Sequence, residues 1–284
     1  MASLVLEGGG MRCVYTSGVL EAFEEAGLSF DTVVGCSAGA CGGASFVAGQ
    51  AWRNRHVYLN YLDGGKFVRF HRLLTGGDVM DVDYLTDEIT TTLCPLDLDA
   101  LRTTTRRLEI GVTDYQTGAL RFLNNHDDDL LTAFRATCAL PLFYRGQVFY
   151  QGRRYIDGGV SEPVPVERAI ALGGKTIVSV LTSPIEERAV KRKRVPGALR
   201  LFSSSAAVRR ALQDRYRRYR RVSELMRTPP PGVSLHVIRP SRPLRVGRTT
   251  TDRSRLEGAC ELGLADGRRF VESGVVAGPA SRVS

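Results

Sequence analysis

Short apolar runs alternate with amphipathic stretches along most of the chain. Residues 3–7 (SLVLE) form an apolar run that stops at Gly8-Gly9-Gly10, the pattern of a buried strand breaking into a glycine loop. Residues 14–28 place Val14, Gly18, Val19, Ala22, Phe23 and Ala26 at helical spacing, which predicts a helix stopped by Gly27. A second run, FDTVVGCSAG (30–39), predicts a strand entering a Gly-x-Ser-x-Gly turn. ACGGASFVAGQ (40–50) then predicts a helix of small residues able to lie close to a sheet. Strand, glycine loop, helix, strand, turn, helix is a βαβα unit, so these two strands are expected to be parallel.

Further along, residues 51–100 are mixed and partly helical. RRLEIGVTDYQTGALRFL (106–123) predicts a hairpin around Gln116-Thr117-Gly118, and LLTAFRATCALP (130–141) a helix ended by Pro141. QVFYQGRRYIDGGVS (147–161) predicts another hairpin together with the turn Asp157-Gly158-Gly159. A helix (167–174), a core strand KTIVSVLTS (175–183), a helix across 205–227, a strand VSLHVIRP (233–240) and a closing helix (259–273) complete the expectation. No internal repeat and no linker long enough to divide domains stands out.

Composition narrows the class. The chain has 284 residues, 43% hydrophobic and 24% charged, as expected of a globular protein of one α/β domain with extensions. No apolar run reaches the roughly 18–20 residues that span a bilayer, and the start MASLVLEGGGMR lacks the pattern of a secretory signal. The expected location is therefore cytoplasmic. Six scattered cysteines without a CxxC pair read as reduced, mostly buried thiols. Cys36 and Cys41 lack a zinc spacing, so neither metal nor cofactor is expected. The net charge of +9 is local: residues 188–227 hold 14 of the 39 basic side chains against Asp214 and Glu224, leaving the rest of the chain at −3.

The candidate chemistry centres on Ser37. A serine between Gly35 and Gly39, on a sharp turn from strand to helix, has its hydroxyl exposed at a helix N-terminus. The alternative is a helix-capping serine in a glycine-rich turn. Acyl transfer also needs donors for an oxyanion, and the Gly8-Gly9-Gly10 loop, with Arg12 to brace it or add positive charge, lies one strand upstream. Nucleotide loops do not fit there: Cys13 stands where a dinucleotide motif needs Gly or Ala, and the P-loop Lys is absent. A Ser-His-Asp triad is disfavoured, because only His236 lies late enough and it sits mid-strand. Asp157, ending a strand-like run before Gly158 and Gly159, is the better proton acceptor; its alternative is an ordinary Asp-Gly turn.

GGGMR, GCSAG and DGG in this order resemble the patatin-like phospholipases, over about residues 3–183. The segment ATCALPLFY (136–144) is similar to that family's small-residue stretch before the Asp strand, and IRPSRPLRVGR (238–248) resembles, less specifically, the C-terminal extension of bacterial members. The resemblance implies an α/β fold of three layers, α/β/α, around a mostly parallel, modified α/β-hydrolase-like sheet. It implies a catalytic domain over 3–183 and an extension over 184–284 packed on the same domain. It further implies a serine acyl hydrolase cleaving lipid carboxylic esters, phospholipase A or lysophospholipase in type, through a Ser37–Asp157 dyad. Gly8, Gly9, Gly10 and Arg12 then form the oxyanion loop. One departure stands out: Cys13 occupies a position that is usually glycine in the family.

Two rivals from other classes are a lipid-binding or regulatory protein of the same fold with little turnover, and a dinucleotide-binding α/β protein. The basic stretch 191–227, whose helix puts Val208, Leu212, Tyr219, Val222 and Met226 on one face, suggests peripheral contact with an anionic membrane. Its alternative is a helix packed on the core with solvated arginines. No zinc finger, RRM motif or aromatic platform accompanies the charge, so nucleic acid is not an expected partner.

Overall fold

Leu4, Leu6 and Val33 pack on one side of a sheet while Val5 and Val34 pack on the other, and all five are fully buried. Strands covered on both faces account for the unbroken apolar runs at the start of the chain. The computed structural model describes residues 1–126, 128–182 and 205–276. In chain order, β1 (Ala2–Leu6) leads through a 3-10 turn at Gly10–Cys13 into α1 (Val14–Glu25), β2 (Thr32–Cys36), α2 (Ala38–Val47) and α3 (Ala51–Asn60). Then come α4 (Arg72–Thr75), a wide π-type helix at Tyr84–Leu93, and α5 (Leu98–Thr103). β3 (Arg107–Asp114), β4 (Leu120–Asn124), α6 (Leu130–Cys138), β5 (Val148–Tyr150) and β6 (Arg153–Asp157) follow. α7 (Val166–Ala171), β7 (Thr176–Val180), α8 (Ala206–Arg227), β8 (Ser234–Ile238) and α9 (Arg253–Glu272) complete the described chain.

Five strands run parallel in the order β3-β2-β1-β7-β8. Helices α1, α2 and α9 share the core on one face, and α7 and α8 cover the other, so the fold is α/β in three layers. Both expected hairpins form: β4 pairs antiparallel with β3, and β5 with β6. The closing helix begins at Arg253, six residues before the expected start, because the Asp252 side chain accepts from Arg255 N–H and caps it. The segment 51–100 is more helical than its sequence pattern suggests, through α3 and the π-type helix.

The register on β3 brings distant residues together. β4 occupies one edge of β3 over Glu109–Thr113. β2 pairs with Arg107–Gly111 and β6 with Val112–Asp114, so both lie on the opposite edge, β2 parallel and β6 antiparallel. Their ends therefore meet head to head, with Cys36 opposite Gly111 and Asp157 opposite Val112. Residues 120 apart in sequence become neighbours by sharing one strand edge.

The C-terminal elements join the same structure. β8 extends the sheet beside β7, and α9 crosses α1 at close range. A Cβ on Gly18 would lie 2.0 Å from Cys260 O, and one on Gly263 1.9 Å from Tyr15 O, so both positions admit only hydrogen. Tyr15 Oη–H donates to Asp266 at 2.9 Å in the same crossing. The expected boundary at 183/184 lies outside the described residues, as do residues 191–204 of the basic stretch.

In α8 the apolar stripe faces inward: Val208, Leu212, Tyr219 and Val222 are buried and Met226 packs against them. The Arg217 and Arg221 side chains are 85% and 76% exposed. The apolar face is thus covered by the protein, and the exposed face of α8 carries Arg217, Arg220, Arg221 and Arg227 among Gln213 and Glu224. Among the described residues no helix is long and apolar enough to cross a membrane.

Candidate functional site

Ser37 follows β2 directly and caps α2 with φ +55° and ψ −137°, a conformation that L-residues rarely adopt. Strain of this kind costs about 1–3 kcal/mol and persists only where surroundings enforce it. Here they do. A Cβ on Gly39 would meet Leu6 O at 2.7 Å, and one on Gly35 would meet Ala40 N at 2.7 Å, so the turn is pressed against β1 and folded onto its own helix. The Ser37 N–H donates to Thr137 Oγ1 at 2.8 Å, and the Thr137 hydroxyl donates on to Gly111 O at 2.6 Å.

Asp157 ends β6 and turns back to the serine. Ser37 Oγ–H donates to Asp157 Oδ2 at 2.8 Å, and Gly159 N–H donates to Oδ1 at 2.7 Å, so both carboxylate oxygens are engaged. Its own N–H donates to Ala139 O at 3.1 Å, and its carbonyl accepts from Thr113 Oγ1 at 2.9 Å. Gly158 sits where a Cβ would be 2.2 Å from Gly111 O, which lets the turn close against β3. Asp157 as a whole is 4% exposed. Burial raises its pKa above the ordinary value, while the Ser37 hydroxyl, the Gly159 amide, Arg215 and Arg248 pull it back down.

The glycine loop lies beside this pair, but its three amides are not equivalent. Gly8 approaches closely enough that a Cβ would be 3.1 Å from Ser37 Cβ; its N–H, however, already donates to Pro163 O at 3.0 Å. The Gly9 amide faces the Cys13 sulfur. Gly10, at φ +58°, opens the 3-10 turn and lies against Arg248 O, which also accepts from Met11 N–H at 3.1 Å. Gly10 and Ala38 each start a helical segment, so neither N–H has an intrahelical acceptor. Of the expected Gly8-Gly9-Gly10 amides, Gly8 is thus committed to Pro163 O, while Gly10 and Ala38, the residue after the serine, keep N–H groups without an intrahelical acceptor. A serine at a helix N-terminus was itself the sequence signal for Ala38.

Arg12 has the geometry of a brace: its guanidinium lies 3.9 Å from the fully buried carboxylate of Glu7, which accepts from Thr182 N–H at 2.7 Å. Cys13, with its pKa pushed up to about 12 by burial, stays a neutral thiol and donates weakly to Glu7 O at 3.4 Å. A small side chain fits where the family carries glycine.

A cavity of about 150 Å³ opens from Ser37 and Asp157 between α3, the segment 80–96 around the π-type helix, and α6. Its walls are mostly apolar, including Val57, Leu62, Phe67, Leu85, Phe134 and Phe143. Arg53, Arg215 and Arg248 also reach it. No histidine lines it; His236 lies on β8 in register with Val178, its ring 6.5 Å from Phe270. Cys41 and Cys138 line the wall with sulfurs 3.5 Å apart; that contact, followed by burial, raises the Cys138 pKa well above the usual thiol range, and burial does the same for Cys36. Thr137, Arg215 and Arg248 were not singled out by the sequence, although each lies in a stretch that carried a signal: 136–144, the basic helix 205–227 and 238–248.

Comparisons with known proteins bear on the family and the fold. The model of a family described as patatin-like phospholipase matches residues 4–170, and a domain of unknown function (DUF6363) matches 205–274. The uncharacterized protein YjjU of Escherichia coli (strain K12) is 31% identical over 278 residues, 95% of this chain and 76% of that protein. VipD from Legionella pneumophila has a similar fold, with a TM-score of 0.50 at 13% identity over 96% of this chain and 67% of its own.

Proposed function

The chain belongs to the patatin-like phospholipase family, and from that premise we propose that it hydrolyses lipid carboxylic esters through an acyl-Ser37 intermediate. The observation that carries the reading is the 2.8 Å hydrogen bond from Ser37 to a buried Asp157, in a cavity without histidine. As Ser37 Oγ attacks the ester carbonyl, its proton passes to Asp157 Oδ2. The carbonyl oxygen gains negative charge beside the Gly10 and Ala38 amides and the N-terminus of α2. Collapse breaks the bond to the alcohol, which leaves with the proton from Asp157. Water then attacks the acyl-enzyme, gives its proton to Asp157, and Ser37 Oγ departs and takes that proton up. Asp157 is apt for this exchange because desolvation brings its proton affinity closer to that of the groups it serves. The apolar wall suits an acyl chain.

Treatment with a fluorophosphonate probe is expected to add the probe's mass to the peptide containing Ser37 and to block turnover of a lysophospholipid in parallel. Folded protein that takes up no label would rule the hydrolase reading out and favour a lipid-binding role.

The exposed arginines of α8 suit peripheral contact with an anionic membrane, electrostatic in character since the apolar face is covered. Sedimentation with vesicles is expected to show binding to anionic lipid at about 0.05 M salt that is largely lost near 0.5 M. Equal binding to zwitterionic vesicles would dismiss this contact.

A further inference from the structure

We propose that Arg53 is a carboxylate receptor at the far end of the cavity, so that the preferred acyl chain ends in a carboxylate. The inference rests on the hydrolase reading above and deepens it by naming the acyl class that Ser37 takes. Arg53 stands at a definite distance along α2. Its Nη1 donates to Ser45 Oγ at 3.3 Å, and Ser45 lies eight residues beyond Ser37, about 12 Å along the helix axis. Ala38 and Cys41 of α2 line the cavity between these two points. One mostly apolar cavity thus has Ser37 and Asp157 at one end and Arg53 at the other.

The charge at that far end is unanswered. Arg53 is 5% exposed, and its hydrogen bonds all go to neutral acceptors. Nε–H donates to Cys94 O at 2.7 Å, while Nη1 and Nη2 reach the Ser45 and Thr90 hydroxyls at a longer 3.3 Å. A guanidinium has five N–H groups, so one on each Nη is left over among the described residues. Burial lowers the Arg53 pKa from the ordinary arginine value, and no carboxylate of the described residues acts against that. The group nevertheless stays protonated, since its ordinary pKa lies so high. Elsewhere in this fold buried acids meet arginines, as Glu7 meets Arg12 and Glu109 meets Arg168. Arg53 lacks such a partner, and a buried charge without one is costly.

A carboxylate answers that charge with two acceptor oxygens, and at the end of an acyl chain it adds little width. Polar neighbours favour it further. Asn54 and Thr90 also line the cavity, and Asn54 Nδ2 spends one N–H on Gly42 O at 3.1 Å and keeps its second. The substrate class is therefore the half-ester of a dicarboxylic acid. Its ester end meets Ser37 while its free carboxylate rests on Arg53. Water and the half-ester give the dicarboxylic acid and the alcohol, with every proton transfer at Asp157. Arg53 sets specificity and moves no proton.

The test compares nitrophenyl half-esters of straight-chain dicarboxylic acids of increasing length with nitrophenyl esters of the matching monocarboxylic acids. The full chain is assayed at about 0.5 M salt, which screens the exposed arginines of α8 far more than a buried contact. At one chain length the half-ester is expected to have a kcat/KM at least about tenfold above its partner, the preference fading for shorter and longer chains. Without a receptor, a carboxylate entering an apolar cavity is penalised at every length. Arg53→Met is expected to reverse the ratio, mainly through KM, and Arg53→Lys to restore part of it. The length profile of the unaltered chain decides even if a variant misfolds. Half-esters slower than their partners at every length would overturn the inference and leave the hydrolase reading standing. A preference of equal size at every length would assign the anion to the protein surface and likewise overturn it. Inhibition by a free monocarboxylic acid, weakened in Arg53→Met and unaccompanied by half-ester preference, would assign Arg53 to free fatty acids instead. Hydrolysis of no ester would remove both readings.

Discussion

Asp157→Asn lowers kcat by about 10³-fold or more, the range lost when a positioned general base is removed, in a protein that stays folded. The amide keeps an oxygen for the Gly159 N–H and a group facing Ser37, but it takes up no proton as Ser37 attacks. Initial rates on a lysophospholipid, with circular dichroism and a melting curve, check it; retained turnover would exclude Asp157 as the base. The pH dependence gives an independent reading. The base must be ionised, so kcat/KM falls as pH falls through its pKa. Burial raises that pKa, which puts the acid limb above the ordinary carboxylate value of about 3.9. Because Arg215 lowers it, Arg215→Gln is expected to move the limb to higher pH.

The stability of the same variant has the opposite sign to its activity. A carboxyl whose folded pKa is raised contributes stability that is fully present below the unfolded value and lost as pH rises through the folded value. Above its raised folded pKa the ionised, desolvated Asp157 therefore weakens the fold, and the neutral Asn relieves that burden. The variant is expected to melt at or above the parent on the alkaline side of the acid limb, with the difference shrinking toward acid pH. A site that sacrifices stability for a proton acceptor shows this pairing of effects.

Gly18→Val is expected to destabilise the chain by about 3 kcal/mol or more, lowering Tm by about 6–12 °C for a protein of this size. The new Cβ would stand 2.0 Å from Cys260 O and 2.5 Å from Leu264 N, both backbone atoms of α9 that cannot yield without separating the helices. Gly263→Val, against Tyr15 O at 1.9 Å, carries the same expectation from the other side. Gly258 offers the contrast on the same helix: a Cβ there meets nothing, so Gly258→Ala is expected to stabilise by about 0.5–1 kcal/mol through helix propensity. Calorimetry should show one transition moving in both directions. A Gly18→Val chain as stable as its parent would mean that α9 does not pack on α1 at this distance.

The elements that sequence reading placed well are those set by local pattern. The runs 3–7 and 30–39, the hairpin turn at 116–118, and the stripe of α8 each depend on residues within a few positions of one another. The stretch 51–100 was poorly legible because its helices bury irregular sets of residues against the cavity, and a π-type helix breaks the usual period. Cys13 drew attention as a departure from the family, yet the three-dimensional surroundings accept it, since its sulfur fills space between Gly9 and Glu7.

By itself the sequence determined the strand–turn–helix at Ser37, the glycine loop before it and the Asp-Gly-Gly turn, because each is a short-range backbone requirement written in glycines. Their family resemblance pointed to a partnership that no spacing explains. Only the tertiary structure decided how that partnership forms, through two strands of opposite direction ending on one edge of β3, and which amides remain for an oxyanion. It also brought Thr137, Arg215 and Arg248 to the site from 100 or more residues away. Such contacts are set by which strand edges and helix faces are left to pair once the core has formed, and no local pattern encodes that choice.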